Sequence, residues 1–165
     1  MRTALLGFSA VICCSAVLAW QPGEAQAKPT HFGKTERKVV QLVNRIRARH
    51  GLRRLRASRR LVRAAGRHTF DMLRSDTFGH ASSNGTPMAR RVRRYTRAHW
   101  VGENVAAVWG RRRGARLVVR MWMGSPGHRA VMLSRSARRI GVGRRVGMMA
   151  GMRQTIFTAD FASRR

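Results

Sequence analysis

Two histidines and one carboxylate stand in glycine-flanked motifs far apart in the chain: Phe78-Gly79-His80, Gly102-Glu103-Asn104 and Ser125-Pro126-Gly127-His128. The chain has only six acidic residues, so a carboxylate in such a motif is a candidate for more than solubility. Neutral imidazoles are common ligands of zinc and other divalent cations, and a nearby carboxylate can serve as ligand, orienter or base. His80 and His128 are the candidate metal ligands, and Glu103, Asn104 and Ser125 complete the candidate cleft. No HExxH or CxxC strengthens the metal reading. From composition alone, a buried His–Glu hydrogen-bond network that ties loops together accounts for these residues better. Each residue also has a plain structural role: His128 at a loop-to-helix junction, Glu103 satisfied by backbone N–H groups or an arginine. Ser125 lies three residues from His128, but no G-x-S-x-G elbow marks it as a nucleophile. His68 is expected in the core with one hydrogen bond, Asp71 paired along its helix with Arg67 or Arg74, and Trp109 and Trp122 in the core.

The elements that must position these groups follow from periodicity and punctuation. Thr35 is a candidate N-cap for a helix carrying Val39, Leu42, Val43 and Ile46, stopped by Gly51. Ser58 caps a second helix to about Ser75 with Leu61, Val62, Ala65, His68, Met72 and Leu73 as its inner stripe. Residues 78–85 read as a loop, and Thr86-Pro87 opens a short helix by cap and N1 proline, ending near Tyr95. Residues 100–109 read as a strand containing Glu103, and 111–114 as a charged loop. A helix over 115–123 should turn Leu117, Val118, Met121 and Trp122 inward, and Pro126 restarts a helical turn through Leu133. Strands over 140–146 and 155–161 are joined by a turn around 147–151.

Residues 1–27 read as a secretory signal peptide: Arg2, an apolar run from Ala4 to Ala19, then Ala25-Gln26-Ala27. The run is interrupted by Gly7, Ser9 and Ser15 and is short for a membrane span, which favours cleavage over an uncleaved anchor. Bulky Ile12 before Cys13 disfavours a lipoprotein site. Both cysteines fall in this segment, so the exported domain would rely on its core rather than disulfides. Residues 28–34 read as a flexible lead-in and 35–163 as one domain. The 165-residue chain holds 35 basic residues against six acidic, a formal charge of +29, and removing Arg2 with Glu24 leaves that balance unchanged. Only three basic residues are lysine. That bias fits a GC-rich genome better than selected anion binding, but either origin yields a surface that adsorbs polyanions salt-dependently.

Leu42-Val43-Asn44, Arg47, Gly51-Leu52, Ala64-Ala65, His68 and Asp71-Met72 look like the opening of bacterial CAP-superfamily (SCP/TAPS) domains. The three glycine-flanked motifs, Trp122, Ile140-Gly141-Val142-Gly143 and Thr158-Ala159-Asp160-Phe161 continue the pattern in order. The resemblance implies an α+β fold, a three-layer α–β–α sandwich with a small antiparallel sheet between helices. It also implies a surface cleft around a His/Glu tetrad, with His80, Glu103 and His128 matching three of its positions, and in some members a divalent ion, often zinc, on the paired histidines. The fourth position, a glutamate in many eukaryotic members, is Ser125 here, and the eukaryotic Gly-His-Tyr is Gly127-His128-Arg129.

Three functional readings follow. The first is a binding or scaffold module, secreted or at the cell envelope, touching anionic envelope polymers or lipids. The second is a zinc-dependent hydrolase on His80, His128 and Glu103. The third is a cationic antimicrobial or polyanion-binding protein; no recognition-helix signature supports sequence-specific nucleic acid binding. The sequence leans away from an enzyme, shows no membrane span after the signal, and leaves the oligomeric state open.

Overall fold

The computed structural model describes residues 32–110 and 114–164. The proposed signal peptide, residues 28–31 of the lead-in, and Arg111 to Arg113 lie outside them. The elements run α1 (Lys34–Arg49), β1 (Arg56–Ala57), α2 (Arg59–Arg74), α3 (Met88–Arg93), β2 (Val101–Val108), α4 (Ala115–Gly124), α5 (Pro126–Leu133), β3 (Arg139–Met149) and β4 (Met152–Ala162).

The sheet order is β1-β3-β4-β2. Three strands are antiparallel, and β1 adds a two-residue parallel edge on β3. Strand alternation sorts side chains onto two faces. Phe157, Ala159 and Phe161 of β4, with Ile140, Val142, Ala106 and Val108, join Val39, Val43, Val118 and Trp122 of α1 and α4 in the main core. The opposite face carries Glu103, Val105, Ile156, Thr158 and Asp160, and α2 covers it with Leu61 and Met72. The result is the expected α–β–α sandwich.

The approach of α2 to the sheet explains the Ile-Gly-Val-Gly motif. A Cβ on Gly141 would sit 2.1 Å from the Leu61 carbonyl carbon, and one on Gly143 would sit 2.5 Å from that of Ala65. Only hydrogen fits there, so the helix backbone rests on the strand. The β3–β4 hairpin turns at Ala150-Gly151, both at positive φ, and the strands run longer than expected, right up to this two-residue turn.

Several local expectations are corrected. The N-cap of α1 is Gly33, and that of α3 is Pro87 rather than Thr86. Ser58 does cap α2, accepting from Leu61 N–H at 3.4 Å. Trp109 is 63% exposed and Met121 is 44% exposed, because β2 ends at Val108 and Met121 falls on the outer side of α4. Leu73 is only partly buried. Asp71 does not run along its helix to an arginine; it accepts from Ser83 N–H at 2.8 Å and Ser83 Oγ at 2.6 Å, tying α2 to the following loop.

Candidate functional site

The site straddles β2, the edge strand opposite β1. Successive residues of a strand point to opposite faces, so Glu103 turns toward the α2 layer and Asn104 toward the α4–α5 layer. His80 comes from the loop between α2 and α3, and its Nδ1 lies 2.9 Å from Glu103 Oε1. His128 comes from the first turn of α5. Its backbone carbonyl accepts from Asn104 Nδ2 at 3.0 Å, which fixes α5 against the strand. The two imidazoles meet from opposite layers with ring centroids 6.4 Å apart and planes tilted by 52°. Trp122 Nε1 donates to the Val105 carbonyl at 3.0 Å, anchoring α4 to the same strand.

Glu103 is the pivot. Its side chain is fully buried, and both oxygens are taken: Oε1 by His80, Oε2 by Arg91 Nη2. Burial pushes this carboxyl's pKa up, but the His80 hydrogen bond and the Arg91 charge outweigh it, and the group sits below the usual glutamate range. The same bond raises His80, against the opposing effect of partial burial. His128 is lowered, first by burial and then by the neighbouring His80 charge.

Three members of this cluster were not assigned to the site by sequence. Arg91 of α3 reaches in from the helix that covers Glu103; in a chain with arginine everywhere, nothing set it apart. His68 is where it was expected, in the core with one hydrogen bond, to the Gly79 carbonyl at 2.9 Å. It also lies 3.9 Å from Glu103 Oε2, and burial lowers its pKa. Asp160 is paired with Glu103 across β2 and β4 and is wholly buried. Its oxygens accept no hydrogen bond, and Arg91 Nη1 stands 3.7 Å away. Burial, then the charge of Glu103, raises its pKa well above the usual aspartate value. An aspartate inside the apolar run of β4 was the signal that could have flagged it.

The structure thus brings His80, Glu103 and His128 together, with Asn104 as a brace behind His128. Ser125 is set at the α4–α5 junction, and among the described residues no hydrogen bond of its hydroxyl joins it to the histidines. Among the described residues, no group of three or more His, Cys, Asp or Glu side chains is placed to hold a metal ion. The two imidazoles are the groups that could hold a cation: burial lowers the pKa of His128, which favours its neutral, ligating form, whereas the Glu103 bond raises that of His80, which works against ligation there.

A protein-family model described as the cysteine-rich secretory protein family (CAP) matches residues 40–159. An uncharacterized Bacillus subtilis protein, YkwD, is 32% identical over 116 residues, 70% of this chain and 44% of its own; this chain therefore spans less than half of that relative's length. An extracellular SCP-domain protein of Bacillus anthracis superposes with a TM-score of 0.64 at 26% identity, over 78% of this chain and 40% of that one. An outer surface protein of Borrelia burgdorferi gives a TM-score of 0.68 at 18% identity, over 82% of this chain and 96% of that one, a likeness of fold.

Proposed function

We propose that this chain, which belongs to the cysteine-rich secretory protein (CAP) family, is a binding or scaffold module outside the cell or at its envelope, with the His80–His128 cleft as its recognition site. One observation carries this reading: both oxygens of Glu103 are occupied and its proton affinity is depressed. A general base needs a free lone pair near a bound water and a pKa close to the working pH. Glu103 is shut off from solvent with each oxygen already engaged, and its pKa is depressed, so it acts as a buried brace that holds His80 toward His128. His80, with half of its side chain exposed, and His128 are the groups that present chemistry to a ligand.

A divalent cation such as zinc, if held by the two imidazoles, would supply Lewis acidity and a positive contact for an anionic ligand group. With two protein donors the affinity should be modest. Calorimetric zinc titration is expected to show weak binding that disappears in the His80→Ala/His128→Ala double variant; unchanged binding in that variant rejects the site.

The hydrolase reading is tested with the same pair of proteins. Zinc-supplemented wild type is expected to cleave an activated ester no faster than the double variant. Saturable turnover lost on removing the two histidines would overturn the binding-module assignment. The formal charge of +29 makes anionic envelope polymers or lipids the natural contacts of the body around the cleft. Among the described residues no helix is long and apolar enough to cross a membrane.

A further inference from the structure

The charge is not spread evenly over the molecule. A cavity of about 500 Å³ beside the sheet edge at β1 is lined by Arg53, Arg54, Arg56, Arg138, Arg139 and Arg164, with Ala57 and Ser58 the remaining lining residues. Two further hollows share Arg53 and Arg138 with it, so the three adjoin one another along a run of arginines, here called the trough. No carboxylate lines any of the three, and among the described residues none of the six guanidiniums forms an ion pair with one.

The fold itself forces these cations together. Parallel pairing of β1 with β3 sets Arg56 directly opposite Arg139, and like charges in register across strands are destabilising. Two of the guanidiniums are also tied down. Arg139 Nη2 donates to the Ser163 carbonyl at 2.8 Å, and Arg138 Nη1 donates to the Ala137 carbonyl at 2.9 Å. Their remaining N–H groups are thus positioned before any ligand arrives, which lowers the entropic cost of binding. Planar guanidiniums match phosphate oxygens in a forked geometry, and a trough suits repeated phosphates on a chain better than one isolated ion.

We infer that this arginine trough is a binding site for a linear phosphate polyanion, separate from the His80–His128 cleft. It deepens the electrostatic part of the function proposed above and rests on that part alone. Bound phosphates would neutralise the facing arginines, so ligand binding and relief of internal repulsion act in the same direction.

The test uses Arg54→Gln/Arg56→Gln/Arg164→Gln, three exposed residues whose side chains make no hydrogen bond among the described residues, against a control of equal charge, Arg63→Gln/Arg67→Gln/Arg120→Gln, three exposed helix positions away from the trough. The probe is linear inorganic polyphosphate. The trough variant should lose at least about tenfold in affinity and lower the slope of log Kd against log salt by about three, one per guanidinium removed. The control should lose less than about threefold. In thermal melts at low salt, polyphosphate should raise the Tm of wild type and control clearly more than that of the trough variant.

Equal losses in the two variants would overturn the trough while leaving general cation-driven binding intact. No polyphosphate binding by wild type would overturn both. Trough-dependent binding to phosphatidylglycerol vesicles without trough-dependent binding to polyphosphate would contradict the assignment to a polymer and make a membrane surface the ligand.

Discussion

At the residue scale, the site is a chain of charges that fix one another. His80 and Arg91 lower the pKa of Glu103, Glu103 raises that of His80, and burial with the Glu103 charge raises that of Asp160. Glu103→Gln leaves Arg91 buried without its counter-charge and should cost about 3–5 kcal/mol in chemical denaturation, the penalty typical of breaking a buried pair. Asp160 has the opposite sign of linkage. Its folded-state pKa is raised, so its contribution to stability is complete below the unfolded aspartate value and is lost as pH rises toward the folded one. Asp160→Asn cannot ionise and keeps a donor for Glu103. Its Tm should equal or exceed that of wild type at neutral pH, with the advantage shrinking as pH falls toward about 4. A variant that is less stable than wild type at neutral pH and closes that gap as pH falls would show Asp160 ionised in the fold. His68 and His128 behave as depressed histidines, and both withdraw stability as pH falls below the ordinary imidazole value.

At the element scale, the backbone of α2 rests on β3 at Gly141 and Gly143. Gly141→Ala should cost more than about 3 kcal/mol, since overpacking against rigid backbone exceeds the usual range for a single methyl group. Gly127→Ala, in α5 with nothing within 4 Å of the added carbon, should be neutral or stabilising by up to about 1 kcal/mol. If the two substitutions cost the same in urea melts, the helix–strand contact is not what the glycines serve. Most elements were legible from local pattern: the inner stripe of α2, its Ser58 cap and the strand around Glu103 all depend on near neighbours. What escaped depends on distant ones. The two-residue β1 has no periodicity of its own and exists only because β3 offers an edge. Asp160 meets Glu103 only through the register of β2 and β4, and Arg91 differs from other arginines only in where α3 points. Trp109 was misplaced because nothing in its type says that the strand stops one residue earlier. The three motif residues His80, Glu103 and His128 could be read because glycine-flanked polar residues are unusual in an arginine-saturated chain.

At the scale of the whole molecule, a formal charge of +29 on 165 residues makes self-repulsion a standing cost, relieved by salt or by a polyanion. Tm should therefore climb with added sodium chloride through the range where screening acts, and a flat response would mean that the arginines are already neutralised by something bound. Within that field the cleft depends on two layers of helices bringing their histidines to one strand edge, and this is the claim on which the functional reading stands. NMR titration of the His128 imidazole, in wild type and in His80→Ala, tests it most directly. The pKa of His128 should lie below the ordinary histidine value in wild type and rise toward it when the His80 charge is removed. A His128 titration unmoved by the loss of His80 would contradict the shared cleft.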